Sequence, residues 1–143
     1  MKVAAILKDK GDKVVTANPD DTIATVADLL KREGIGAAVV TGAGGAVVGI
    51  LSERDIVRAI PEHRSDLLDC RASELMTRDV VNCTPDTDVD DVRKLMTEGR
   101  FRHVPVIVDG KLAGIVSVGD VVKQRLDELE AEAGALRSYI STG

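Results

Sequence analysis

The chain has 143 residues, of which 44% are apolar and 1% aromatic, and its formal net charge is −5. That length suits one compact domain or two small halves sharing a core. The acidic balance opposes general attraction to phosphate backbones or anionic lipid, and two rings, Phe101 and Tyr139, make no base-stacking surface, so neither nucleic acid nor membrane is an expected partner.

The first element is a short helix at residues 3–7, followed by a turn at 8–13 and a strand at 14–17. Pro19-Asp20 then announces a helix, with Asp20, Asp21 or Thr22 able to cap it, and Ile23, Val26, Ala27 and Leu30 recur at helical spacing. Gly34 ends that helix. A buried strand at 37–41, a turn at 42–45 and a partner strand at 47–51 follow, and Ser52 opens another helix. Residues 61–71 are a polar linker in which Leu67-Leu68 packs as a short helical piece. The same series then starts again: helix at 72–76, strand at 80–83, Pro85-Asp86 with a cap among residues 86–88, and apolar positions Val89, Val92, Leu95 and Met96. Gly99 closes the helix, a strand covers 103–108, Asp109-Gly110 forms a hairpin turn, and the partner strand covers 112–116. Ser117 opens the last helix.

The chain therefore repeats itself. Val14-Val15 to Pro19-Asp20 returns as Val80-Val81 to Pro85-Asp86, and Gly49-Ile50-Leu51-Ser52 with Asp55 returns as Gly114-Ile115-Val116-Ser117 with Asp120. A repeat defines the structural unit before any residue is interpreted. The expected divisions are residues 2–60 for the first repeat, 61–71 for the linker, 72–125 for the second repeat and 126–143 for an amphipathic extension. In that extension Val122, Leu126, Leu129, Ala133, Leu136 and Ile140 alternate by four and three, a heptad seam that either lies on its own domain or meets a second subunit. A homodimer is the favoured expectation.

Cys70 and Cys83 are too few for a disulfide framework, and with His63 and His103 they lack the close paired spacing of a zinc site, so no metal is expected. The N-terminal apolar run is too short for a signal peptide and no segment approaches a membrane span, which makes a cytoplasmic protein the default. No nucleophile–base set and no phosphate-binding Gly-Lys-Ser loop is present, so no catalytic activity is expected.

The duplicated Ser-x-x-Asp falls in the first turn of a helix in both repeats. A carboxylate with two acceptor oxygens suits adjacent ribose hydroxyls, while the Ser and the helix N-terminus offer donors to phosphate. The same residues also serve plain helix capping.

With its Pro-Asp helix starts, the strand from Arg102-His103-Val104-Pro105 and the twofold Gly-Ile-x-Ser-x-x-Asp, the chain resembles a tandem pair of CBS domains, the module named after cystathionine β-synthase, and in particular small bacterial proteins made of little more than the pair. The resemblance implies an α+β, sandwich-like fold: two pseudo-symmetric repeats, each helix-strand-helix-strand-strand-helix, packed sheet to sheet. It also implies an adenine nucleotide ligand (AMP, ADP, ATP, NAD or S-adenosylmethionine) in two clefts, and a disc-shaped dimer. One cleft would take Ile50, Ser52, Arg54 and Asp55 together with Thr84, Val89, Phe101, Arg102 and His103. The other would take Ile115, Ser117, Gly119 and Asp120 together with Asn18, Ile23, Ile35, Gly36 and Ala37. In the first, Arg102 and His103 align with residues that meet phosphate. In the second, Gly36-Ala37 carries no such charge, so unequal occupancy is expected. The implied role is a non-catalytic regulatory module that senses energy or redox state. The rival reading is a structural dimerisation or adaptor protein without ligand.

Overall fold

The structure, a computed structural model, describes residues 1–11 and 13–142. Asp12, in the expected 8–13 turn, and Gly143, at the end of the expected extension, lie outside the described residues. The order of elements is α1 (Val3–Lys10), β1 (Thr16–Ala17), α2 (Ile23–Glu33), β2 (Ala37–Thr41), β3 (Val47–Ser52), α3 (Glu53–His63), α4 (Ala72–Leu75), α5 (Val89–Gly99), β4 (His103–Val108), β5 (Lys111–Ser117) and α6 (Val118–Thr142), with 3₁₀ turns at Ala43–Gly45 and Arg64–Asp69. This is the mixed helix-and-strand architecture that the repeat implies.

Two small sheets carry the molecule. In the first, β1 runs parallel to β2 and β2 antiparallel to β3. In the second, β4 and β5 form a hairpin whose turn residues Asp109 and Gly110 both have positive φ, 51° and 77°, as a tight turn of this kind requires. The strand expected at 80–83 is reduced to a single parallel bridge between Cys83 and Val106. Val81 and Asn82 stay exposed there and do not extend the bridge along β4.

Local signals explain most helix ends. Thr22 is the cap of α2: its hydroxyl accepts the Thr25 N–H at 3.2 Å. Gly34 closes α2 in the left-handed conformation at φ 64°. In the second repeat that left-handed residue is Arg100 (φ 56°), and Gly99 is small for another reason: a Cβ there would stand 2.0 Å from the Phe101 ring. Asp88 caps nothing with its side chain and pairs with Lys2 at 2.9 Å instead. Of the linker leucines only Leu67 packs, since Leu68 is exposed.

The cores exchange their first helices. Val3, Ile6 and Leu7 of α1 pack with Cys83, Val89, Val92, Val104, Val106 and Val116 of the second repeat. Ala72, Leu75 and Met76, at and just beyond α4, pack with Ile23, Val26, Leu30, Val40 and Leu51 of the first. Each aliphatic side chain so buried contributes roughly 1.5–3 kcal/mol. The backbone repeats the exchange bond for bond. Val3 and Ala4 donate to the carbonyls of Thr87 and Pro85, while Ala72 and Ser73 donate to those of Asp21 and Pro19. In each repeat the glycine of Gly-Ile-x-Ser makes room for the visiting helix. A Cβ on Gly49 would lie 2.5 Å from Met76 Sδ and 2.9 Å from the Thr77 carbonyl, and one on Gly114 would lie 2.6 Å from Leu7 Cδ2.

The exchange is imperfect in one respect. The expected turn at 8–13 begins late, because α1 continues to Lys10 and stops at Gly11 (φ 90°), whereas α4 is four residues long. That extra length brings a lysine to the second repeat with no counterpart in the first.

Candidate functional site

Both serines stand where a strand becomes a helix. Ser52 ends β3 and caps α3: its hydroxyl accepts the Asp55 N–H at 3.2 Å, and Asp55 Oδ2 accepts the Ser52 N–H at 2.9 Å and the Ser52 hydroxyl at 3.0 Å. Ser117 repeats this at the β5–α6 junction, its hydroxyl accepting the Asp120 N–H at 3.1 Å and Asp120 Oδ2 accepting the Ser117 N–H at 2.9 Å. Helix capping is thus real at both positions. It occupies only Oδ2, so Oδ1 of each aspartate remains an open acceptor among the described residues.

The helix N-termini are less open than the sequence suggests. The Glu53 N–H goes to the Gly36 carbonyl at 2.9 Å and the Val118 N–H to the Arg102 carbonyl at 2.8 Å. The third amide of each helix is tied to its serine. That leaves the Arg54 and Gly119 N–H groups as the unpaired first-turn donors among the described residues.

The two aspartates differ in their company. At Asp120 the Lys10 ammonium donates to Oδ2 at 2.7 Å and to the Ile115 carbonyl at 2.9 Å. Burial works against the Asp120 charge, but the Lys10 hydrogen bond and the Ser117 N–H outweigh it and hold the carboxyl below its ordinary range. At Asp55 the matching carbonyl, that of Ile50, is met by the Thr77 N–H at 2.9 Å, and among the described residues no cation pairs with the carboxylate.

His103 sits at the meeting of the repeats. Strand register sets it opposite Ser117, as it sets Ala37 opposite Ser52. Its Cε1 and the Glu53 carboxylate both lie 3.9 Å from the point where a Cβ on Gly36 would stand. Burial pushes its pKa down, Lys10 and Arg102 push the same way, and Asp120 and Glu53 push back. Arg102 next to it is exposed.

Strand register sets Arg102-His103 beside Ser117-Asp120 and Gly36-Ala37 beside Ser52-Asp55, while the His103 ring also stands near Gly36 and Glu53 of the other repeat. Ile23 is 0% and Val89 3% exposed, each the first residue of its helix turned into a core. Asn18 and Thr84 remain exposed at matching turns, their N–H groups donating to Asp21 Oδ2 at 2.9 Å and Thr87 Oγ1 at 3.0 Å. Ile35, Ile50 and Ile115 are half-buried, Ala37 is buried, and Phe101 lies partly against the second core.

Two site residues were missed in the sequence. Glu53 lies inside the Ser-x-x-Asp motif itself. Lys10 lies in the expected 8–13 turn, which offered no sign of its role. With Asp120 it borders a cleft of about 520 Å³ between α1 and α6, a volume in the range of small-molecule sites. Of the expected residues only Asp120 lines that cleft. Among the described residues no group of His, Cys, Asp and Glu is arranged for a metal ion: Cys70 and Cys83 lie in different cores, and Cys70 Sγ is 3.5 Å from His63 Nδ1. Among the described residues no helix is long and apolar enough to cross a membrane.

The family model described as CBS domain matches the chain twice, over residues 6–62 and 72–127. A 17.7 kDa protein of Acidianus ambivalens is 40% identical over 116 residues, 80% of this chain and 69% of that one. The mitochondrial CBS domain-containing protein CBSX3 of Arabidopsis thaliana is 32% identical over 149 residues, 99% of this chain and 72% of that one. Among solved structures, the CBS-domain protein ATU1752 of Agrobacterium tumefaciens superposes with a TM-score of 0.84 at 46% identity, over 87% of this chain and 99% of that one. The CBS domain pair of protein MJ0100, solved in complex with 5′-methylthioadenosine and S-adenosyl-L-methionine, superposes with a TM-score of 0.80 at 26% identity, over 90% of this chain and 98% of that one. The two matches, their order and the duplicated strand-to-helix aspartates agree: the chain belongs to the CBS domain family and carries its domain as a tandem pair.

Proposed function

We propose that this chain is a non-catalytic regulatory module that binds an adenine nucleotide at the seam between its repeats and reports cellular energy or redox state from the cytoplasm. The observation that carries the reading is the open Oδ1 on Asp55 and Asp120, each beside a serine hydroxyl and an unpaired helix N–H. Adjacent ribose hydroxyls would donate to the carboxylate, and a phosphate would take the Arg54 or Gly119 N–H. Around Asp120, Lys10 and Arg102 add the cations that phosphate favours and His103 adds an imidazole able to hydrogen-bond, which supports this side as the main site. The ligands in the MJ0100 complex, both built on adenosine, support the ligand class.

A ligand held by both repeats would favour one inter-repeat angle over others, a coupling typically worth ~1–3 kcal/mol. A homodimer is the natural relay. Val122, Leu126, Leu129, Leu136 and Ile140 on α6 are between 44% and 68% exposed, an apolar stripe that a second copy would cover.

Native mass spectrometry of the purified protein, combined with melting curves in AMP, ADP, ATP and NAD, tests the proposal. A co-purifying nucleotide and a melting temperature raised by at least one of the four are expected, as for any ligand selective for the folded state. Flat melting curves at millimolar concentrations of all four would leave the adaptor reading in possession.

A further inference from the structure

We infer that Lys10 determines specificity at Asp120: by pairing with Oδ2 it weakens that carboxylate's hold on uncharged nucleosides and favours ligands that carry phosphate. The inference rests on the nucleotide reading above and adds to it which nucleotide chemistry the second repeat accepts.

The two repeats supply the comparison. In the first, the carbonyl of Ile50 and Oδ2 of Asp55 are satisfied from within the fold, by the Thr77 N–H and the Ser52 hydroxyl. In the second, the Ile115 carbonyl and Asp120 Oδ2 share one ammonium, that of Lys10. The lysine is there because α1 outruns α4 by four residues, eight against four. The pair is neither surface decoration nor sealed core: the Asp120 side chain is 21% exposed and that of Lys10 32%. Such an ammonium, on a flexible four-carbon stem, has both a reason to stay and room to leave.

A ribose seated on Asp120 through the open Oδ1 shares a carboxylate whose charge Lys10 already draws on through Oδ2, which makes Oδ1 a weaker acceptor. A neutral nucleoside gives the ammonium no new partner, so the ion pair opposes its binding. A nucleotide brings its own anion, and Lys10 exchanges one partner for another while its charge stays paired. Arg102, on the same hairpin, adds to the attraction without contacting the aspartate. Among the described residues the Asp55 side has no such lysine, and it discriminates less.

The test compares AMP with adenosine by isothermal titration in an Asp55→Asn background, which isolates the Asp120 side, for Lys10, Lys10→Met and Lys10→Arg. Lys10→Met should weaken AMP about tenfold, the usual effect of one lost charged hydrogen bond, while adenosine tightens, so their affinity ratio falls by more than tenfold. Lys10→Arg should keep the ratio within about threefold of the parent, since the charge is retained. A structural role for Lys10 would move both ligands alike, and parallel changes, or no change, would overturn the inference while leaving the nucleotide reading intact. Failure of AMP and adenosine to bind any of the three proteins, and also the chain with Asp55 intact, would overturn both.

Discussion

Asp55 and Asp120 each cap their own helix through Oδ2, and Oδ1 stays open among the described residues. Capping and the proposed ribose binding are compatible in that one geometry, which is why the sequence alone left both open. What the residues could not show was their company, because Lys10 lies 110 positions from Asp120. His103 is the residue whose surroundings make a pH prediction. Its folded pKa lies below the ordinary 6.5, chiefly through burial, so between 6.5 and that lower value the unfolded chain binds more protons than the folded one. Stability should therefore fall as pH drops through 6.5 and level off below the folded pKa. Urea titrations between about pH 7.5 and about pH 5.5 should show a shallower loss in His103→Gln than in the parent. An equal loss in both would place the titrating group elsewhere.

At the scale of elements, the exchanged helices are the feature that local patterns hide. Apolar spacing announced two amphipathic starts, but it says nothing about which core an amphipathic face enters. The hairpin at Asp109-Gly110, the stop at Gly34 and the Ser-to-helix junctions were legible because each rests on a local backbone requirement. The strand at 80–83 was over-read because a strand needs a partner and only Cys83 has one. The repeated glycines now have a reason, and a test. Gly49→Ala would meet both Met76 Sδ and the rigid Thr77 carbonyl, whereas Gly114→Ala would meet only the mobile Leu7 side chain. Overpacking of this kind costs roughly 1–3 kcal/mol, and Gly49→Ala should lie at the upper end with Gly114→Ala below it. Denaturant midpoints with unchanged slopes would measure this, and equal costs would argue against the backbone clash.

At the scale of the molecule, pseudo-symmetry is near complete in the backbone and broken in the charge. The same two docking bonds recur at α1 and α4, yet among the described residues one carboxylate is paired with an ammonium and the other is not. The two Ser-x-x-Asp junctions are thereby made unequal. The long α6 breaks the symmetry again, carrying its apolar stripe past the end of the repeat. Truncation after Gln124 removes Leu126, Leu129, Leu136 and Ile140. If the stripe holds a second copy, sedimentation should show the dimer weakened by at least about tenfold, with each repeat still folded. An unchanged dimer would mean that subunits meet through another face.

The central claim is that the repeated aspartates hold a nucleotide and do not merely cap helices. Isothermal titration of AMP into the double variant Asp55→Asn, Asp120→Asn, beside the parent chain, tests it most directly. Asparagine keeps an acceptor for each cap but replaces the second carboxylate oxygen with a donor, so the capping loss should stay near ~0.3–1 kcal/mol per site. The account predicts that AMP affinity falls by about tenfold or more at each site while the variant remains folded. Parent-like AMP binding in a variant that merely melts earlier would contradict it.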